Sequence, residues 1–176
     1  RFPPRSFEGN FGGDDGCIVI PHPGVEELMT DIASYSSLKD KSVFVTGGAS
    51  GIGASIVEHF AAQGARVAFF DLDTQSAQKL IATIAARGYS QPAFLQSDLR
   101  DIADFRGRIG EACKKLGDPH VLVNNAARDD RHSIESVTPE YWDERIAVNL
   151  RHQFFAAQAV MEGMKRMGGG SIINMG

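Results

Sequence analysis

From residue 42 onward, short apolar runs of strand length alternate with longer segments whose apolar residues recur at helical spacing. Residues 42–45, 66–70, 93–95, 121–123 and 171–174 are the strand candidates. Between the first two, Ile52, Ile56 and Phe60 fall four apart on one helical face, and Gly64 supplies a stop. Residues 74–87 form the next helix candidate, with Ala77, Leu80, Ile81 and Ile84 as its stripe and Gly88 at its end. Asp101 is placed to cap a third helix, whose Phe105, Ile109, Ala112 and Leu116 keep helical spacing. Thr138 followed by Pro139 starts a fourth. It runs through Trp142, Ile146 and Leu150 towards Met167, with a bend, until Gly168-Gly169-Gly170 breaks it. Alternation of this kind predicts an α/β fold with a parallel sheet covered on both faces. Right-handed crossovers then favour a doubly wound sheet with strand order 3-2-1-4-5. Nothing repeats at a fixed period.

Residues 1–38 depart from this pattern. They are rich in Gly, Pro and charge, as in Gly12-Gly13-Asp14-Asp15-Gly16, and show no sustained period. They read as a disordered or loosely packed leader, with residues 39–176 as the folded domain. A chain that begins at Arg1 reads as processed or incomplete at its front, and Met29 is the candidate original start.

Composition narrows the classes of partner. The chain is 43% hydrophobic and 23% charged, enough for a substantial core. A net charge of -4 without a basic cluster argues against nucleic acid and against an anionic membrane surface. No apolar run approaches the ~20 residues a membrane helix needs. The two cysteines, Cys17 and Cys113, are far apart in sequence. No disulfide framework or metal site is therefore expected, and a reduced, cytoplasmic setting fits best.

The candidate chemistry starts at Thr46-Gly47-Gly48-Ala49-Ser50-Gly51-Ile52-Gly53, directly after the first strand. Glycines permit a tight turn and close approach of backbone to a ligand. Amides at the start of the following helix would face a bound pyrophosphate, where the helix dipole favours negative charge. The spacing G-x-x-x-G-x-G differs from G-x-G-x-x-G, and the Gly-Lys-Ser/Thr of a P-loop is missing, which argues against a triphosphate-and-magnesium site. Asp71 ends the second strand, where a carboxylate can accept hydrogen bonds from an adenosine ribose. It would repel the additional phosphate of NADP by ~1 to ~4 kcal/mol at about 4 Å, depending on screening. Neither Ser50 nor Leu72 supplies an opposing positive charge, so NAD is preferred over NADP. The competing reading is that Asp71 caps the next helix together with Asp73 and Thr74.

Thr46 to Gly53, Asp71, Asp98-Leu99, Asn124-Asn125-Ala126-Ala127 and Asn149 occur in an order and spacing that resemble the short-chain dehydrogenases/reductases. The likeness runs from about residue 38 to 176 and implies a Rossmann sheet. It implies cofactor contacts at Gly47, Ser50, Gly51, Ile52 and Gly53, with adenine held by Asp98 and Leu99. It also places Asn125 and Ala126 beside the cofactor and Asn149 in the catalytic proton relay. Ala127 stands where the family more often has glycine. Asp129-Asp130-Arg131-His132 and Tyr141-Trp142-Asp143-Glu144-Arg145 are similar to the family's bacterial aldose dehydrogenases, especially the NAD-dependent D-xylose 1-dehydrogenases. That likeness implies a small sugar or polyol substrate, with Asp129, Asp130, Arg131 and His132 facing it, and a homo-oligomeric intact enzyme. Trp142 reads as core, and His152 as helix packing.

The family's catalytic Ser lies just after its fifth strand, and Tyr-x-x-x-Lys follows on the next helix. This sequence stops at Gly176, so the expected fold is a sheet truncated after its fifth strand. Tyr35, Tyr89 and Tyr141 are expected to offer no such pair with the lysines, and the 176 residues are expected to be inactive by themselves. The alternative is a dinucleotide-binding module or pseudoenzyme with no catalysis.

Overall fold

The computed structural model describes residues 33–175. The expectations for residues 1–32, including Met29 as a start, lie outside the described residues. Residues 36–38 form a 3-10 turn that leads into β1 (Ser42–Thr46). There follow α1 (Gly51–Ala62), β2 (Arg66–Asp71), α2 (Thr74–Ala86), β3 (Ala93–Gln96), α3 (Ile102–Leu116) and β4 (Val121–Asn124). A 3-10 turn at Ile134–Ser136 precedes α4 (Pro139–Ile146), a π turn (Ala147–Arg151), α5 (His152–Arg166) and β5 (Ser171–Asn174).

The strands form one parallel sheet in the order β3-β2-β1-β4-β5, the doubly wound topology expected from the alternation. Side chains alternate across a strand, so the two faces build two cores. Val43, Val45, Val67, Phe69 and Val123 meet Val57 and Ala61 of α1 and Ala77, Leu80 and Ile84 of α2. Phe44, Ala68, Phe70, Leu95 and Leu122 meet Phe105, Ile109 and Ala112 of α3 and Ala156, Val160 and Met164 of α5. The sheet reverses direction of winding between β1 and β4, where a crevice opens at the carboxyl ends of the strands.

Caps follow the sequence closely. The Asp101 carboxylate accepts hydrogen bonds from the N–H groups of Ala103 and Asp104, both at 3.0 Å. Thr138 accepts from Tyr141 N–H at 3.2 Å.

Two helical faces differ from the periodic reading. In α1 the fully buried line is Gly53, Val57 and Ala61, while Ile56 and Phe60 pack only partly and Ile52 is 67% exposed. Small residues lie against the sheet because the glycine turn draws the helix close to β1. In the last helical stretch, Trp142, Ile146 and Leu150 are exposed rather than core. Gly163 is buried, and the main buried line is Ala147, His152, Ala156, Val160 and Met164. Their spacing is five across the π turn and four afterwards. α4 buries none of its own residues, so Trp142 and Ile146 already face outward before the π turn, which then inserts one residue into the helical register ahead of α5.

Candidate functional site

The loops after β1 to β4 enclose a cleft of about 430 Å³ at the carboxyl ends of the strands. Gly47 and Gly51 both have positive φ, at 66° and 55°. At Gly47 a side chain would also meet Ala126 Cα at 2.7 Å, whereas at Gly51 it would meet nothing within 4 Å. The turn therefore packs against the loop after β4 at Gly47, while Gly51 is open and lies outside the cleft lining. Ser50 occupies the N-cap position of α1 but makes no side-chain hydrogen bond to the helix start. The first-turn N–H groups of α1 are thus left without a side-chain partner, beside a cleft that Ser50, Ile52 and Gly53 line. Such a helix start suits an anionic ligand, through unsatisfied donors and the helix dipole together.

Asp71 lines the same cleft. Its carboxylate accepts from Ala49 N–H at 2.9 Å and Asp73 N–H at 3.1 Å, tying the end of β2 to the glycine turn. It does not cap α2. Asp73 does so, accepting from Ser76 N–H at 3.0 Å and from its hydroxyl at 2.6 Å.

Asp98, Leu99, Asn125 and Ala126 form further wall. Asn125 Nδ2 donates to the carbonyls of Thr46 (3.2 Å) and Gly47 (3.0 Å), binding the turn after β4 to the one after β1. Asp98 is held by Arg100, whose Nε lies 2.9 and 3.0 Å from its two oxygens and whose Nη2 lies 2.7 Å away. These hydrogen bonds keep the Asp98 carboxyl below the usual carboxylate range.

Two charged cleft residues were not singled out by the sequence motifs. Arg100 and Arg128 both donate to Glu144, at 3.1 and 2.9 Å, bridging the loops after β3 and β4 through α4. Arg100 follows Asp98-Leu99 directly, and Arg128 follows Ala127, so position beside a motif was the available signal.

Other predicted residues sit outside the lining. Asn149, in the π turn, accepts from Arg128 N–H at 2.8 Å and donates to Arg128 C=O at 3.1 Å. It thereby positions Arg128, while neighbouring Val148 reaches the cleft. Asp129, Asp130, Arg131 and His132 are exposed. Asp130 pairs with Arg128 at 3.1 Å and with Arg145. The Tyr141 hydroxyl lies 2.8 Å from His132 Nδ1, and the Arg145 guanidinium stands 4.4 Å from the Tyr141 ring centre.

One Tyr-x-x-x-Lys spacing does occur in the chain, from Tyr35 to Lys39. It lies before β1. Tyr35 N–H donates to Gln63, just past α1, and Lys39 packs beside Gly64. Both positions are at the end of the sheet opposite the cleft, so this spacing belongs to no site there.

A family described as short chain dehydrogenase matches residues 41–176. The chain belongs to that family. Among its short-chain dehydrogenase relatives, a protein of Rhizobium meliloti described as a probable galactose dehydrogenase is 54% identical over 142 residues. The match covers 81% of this chain and 56% of that protein. A D-xylose 1-dehydrogenase of Caulobacter vibrioides is 47% identical over 144 residues, covering 82% and 56%. The chain spans about half the length of these curated relatives. Among solved structures, a blue fluorescent protein from a metagenomic library, in complex with NADPH, matches at TM-score 0.69 and 35% identity. That match covers 79% of this chain and 56% of the other. A double mutant of a Serratia marcescens short-chain dehydrogenase/reductase matches at TM-score 0.68 and 31% identity, covering 72% and 52%. The family is one of oxidoreductases, and no helix among the described residues is long and apolar enough to cross a membrane.

Proposed function

We propose that this chain is the NAD-binding portion of an oxidoreductase that acts on a hydroxyl of a sugar or polyol. The observation that carries the reading is Asp71, fixed to the glycine turn by Ala49 N–H and sharing one cleft with the uncapped start of α1. The pyrophosphate is held by the α1 amides and the ribose by Asp71, which keeps free lone pairs on both oxygens. Bound there, the nicotinamide serves as hydride acceptor. Asn125 and Ala126 hold the cleft wall beside it, and Asn149 supports that wall through Arg128.

Asp71 also carries the preference for NAD. A second phosphate on the ribose would bring like charge against this carboxylate. Leu72 beside it is uncharged, and Arg100 and Arg128 are already paired with Glu144. One neighbour of similar fold is in complex with NADPH, so the preference rests on the side chain at position 71 rather than on the sheet. Asp71→Ala is expected to weaken NAD about tenfold while leaving NADP within about threefold, read by isothermal titration. An unchanged ratio of the two affinities removes Asp71 from the cofactor site.

A sugar or polyol as substrate is supported by the galactose and D-xylose dehydrogenases among the relatives. The cluster Asp130, His132, Tyr141 and Arg145 beside the cleft adds many donors and acceptors, which suit a polyhydroxylated ligand. We assign the working enzyme to the cytoplasm on its two widely separated cysteines, and to a homo-oligomer on the family resemblance.

A second reading, a dinucleotide-binding module without catalysis, has one observation in its favour. Among the described residues, the cleft lining includes no Tyr, Lys or His that would serve as a base. We therefore expect the 176-residue polypeptide to bind NAD without turnover. NADH formation from D-galactose or D-xylose, followed by its absorbance, would overturn that expectation.

A further inference from the structure

His152 is fully buried where the π turn passes into α5, and cofactor binding as described makes no use of it. Its Nε2 lies 3.3 Å from Thr46 Oγ1. The Thr46 hydroxyl accepts hydrogen bonds from the N–H groups of Asn125 and Ala126, both at 3.1 Å. A hydroxyl has two acceptor lone pairs and one proton. Both lone pairs are thus committed to the turn after β4, and the proton of this fully buried hydroxyl needs an acceptor of its own. His152 Nε2 is the group in reach. That nitrogen must then carry no proton, which leaves the imidazole proton on Nδ1.

The surroundings of the ring agree with this count. Nδ1 meets no partner within ordinary hydrogen-bond geometry, yet the Val148 carbonyl is near enough to favour a proton on the ring. Burial acts the other way and more strongly, pushing the ring below the usual imidazole range. A neutral ring protonated at Nδ1 satisfies both influences.

We propose that His152 is a positioning residue: its bare Nε2 aims the Thr46 hydroxyl, which in turn holds the Asn125–Ala126 turn in the cleft wall. Without the acceptor, the Thr46 proton is unpaired in the core, or the hydroxyl rotates and gives up one of the two amides. Either outcome has a cost comparable to one lost buried hydrogen bond. The consequence for NAD rests on the cofactor site proposed above. The state of the ring and the rigidity of the turn do not.

Ring nitrogen NMR on the full chain tests the tautomer directly. His152 is expected to show a protonated-type shift at Nδ1 and an unprotonated-type shift at Nε2. The reverse assignment, or a doubly protonated ring at neutral pH, overturns the proposal. His152→Phe retains a ring but removes the acceptor, and should speed amide exchange at Asn125 and Ala126 about tenfold. His152→Gln keeps a terminal acceptor and should restore most of that protection. Equal exchange in the wild type and His152→Phe would also overturn it. NAD dissociation constants should follow the same order, about tenfold weaker for Phe and near wild type for Gln. Faster exchange with unchanged NAD affinity ends the link to binding. If the unaltered protein binds no NAD, the cofactor assignment fails, while ring shifts and amide exchange still decide the role of His152. If the Phe variant does not fold, the ring shifts and the Gln variant decide.

Discussion

Gly53→Ala is expected to cost about 3 kcal/mol or more of stability and to abolish measurable dinucleotide binding. An added Cβ at Gly53 would stand 1.8 Å from the Gly47 carbonyl oxygen and 2.6 Å from Asn125 Nδ2. Real Cβ atoms essentially never approach another atom within 3.0 Å. The obstruction is backbone, so no side chain can swing away to relieve it. Gly47 has no room to retreat either, because it already packs tightly against Ala126. The remaining escape is for α1 to move away from β1. That separates Val57 and Ala61 from Val43 and Val45, and it breaks the anion-facing geometry at the helix start. Thermal unfolding followed by circular dichroism should fall by on the order of 10 °C. Isothermal titration should show no NAD binding even below the melting temperature. A variant that melts within a degree or two of wild type and still binds NAD would mean that the turn is far looser than its geometry indicates.

Phe70→Ala carries the other large effect, about 3–5 kcal/mol of lost stability. The Phe70 ring is fully buried and stands edge-on to two others. Its centre lies 5.9 Å from that of Phe44 at 72° and 5.5 Å from that of Phe105 at 84°. Each edge-to-face pair adds roughly 0.5–1.5 kcal/mol beyond area burial. Truncation removes the middle ring of three and leaves a cavity between sheet and α3 that close-packed neighbours fill only in part. Domains of this kind are stable by roughly 5–15 kcal/mol in total, so the loss is a large share. Function should suffer as well. The Phe70 carbonyl accepts from Gly47 N–H at 2.8 Å, and Asp71 follows it directly. Phe154→Ala is the control: that ring is 65% exposed and should change stability by about 0.5 kcal/mol or less. Chemical denaturation of the two variants side by side distinguishes the cases. Similar midpoints would show that the aromatic row under β2 is not what holds this face of the sheet.

Much of the fold was legible along the chain for physical reasons that act locally. Parallel strands buried on both faces must be apolar throughout, so β1 and β4 stood out as continuous runs. Asp101 and Thr138 marked helix starts because a short polar side chain is what the first-turn amides need. The glycine turn and Asp71 were visible because their chemistry lies in adjacent or regularly spaced residues. The errors arose where a local rule was extended beyond its range. Ile52, Ile56 and Phe60 keep helical spacing, yet the close approach of α1 to β1 selects Gly53, Val57 and Ala61 for the buried line. Trp142, Ile146 and Leu150 are spaced in the same way, yet α4 buries none of its own residues and the π turn at Ala147–Arg151 buries only Ala147, so the stripe meets no core.

By itself, then, the order of residues determined which segments are strands and helices, their winding into one parallel sheet, and the glycine-and-aspartate signature of the cleft. Each follows from local periodicity, from capping, or from the handedness of crossovers. Only the tertiary structure decided which side chains complete the site. Arg100 and Arg128 meet on Glu144, and His152 reaches Thr46 across 106 positions of chain. Contacts of that kind depend on how strands and helices are brought together in space. No spacing along the chain encodes them.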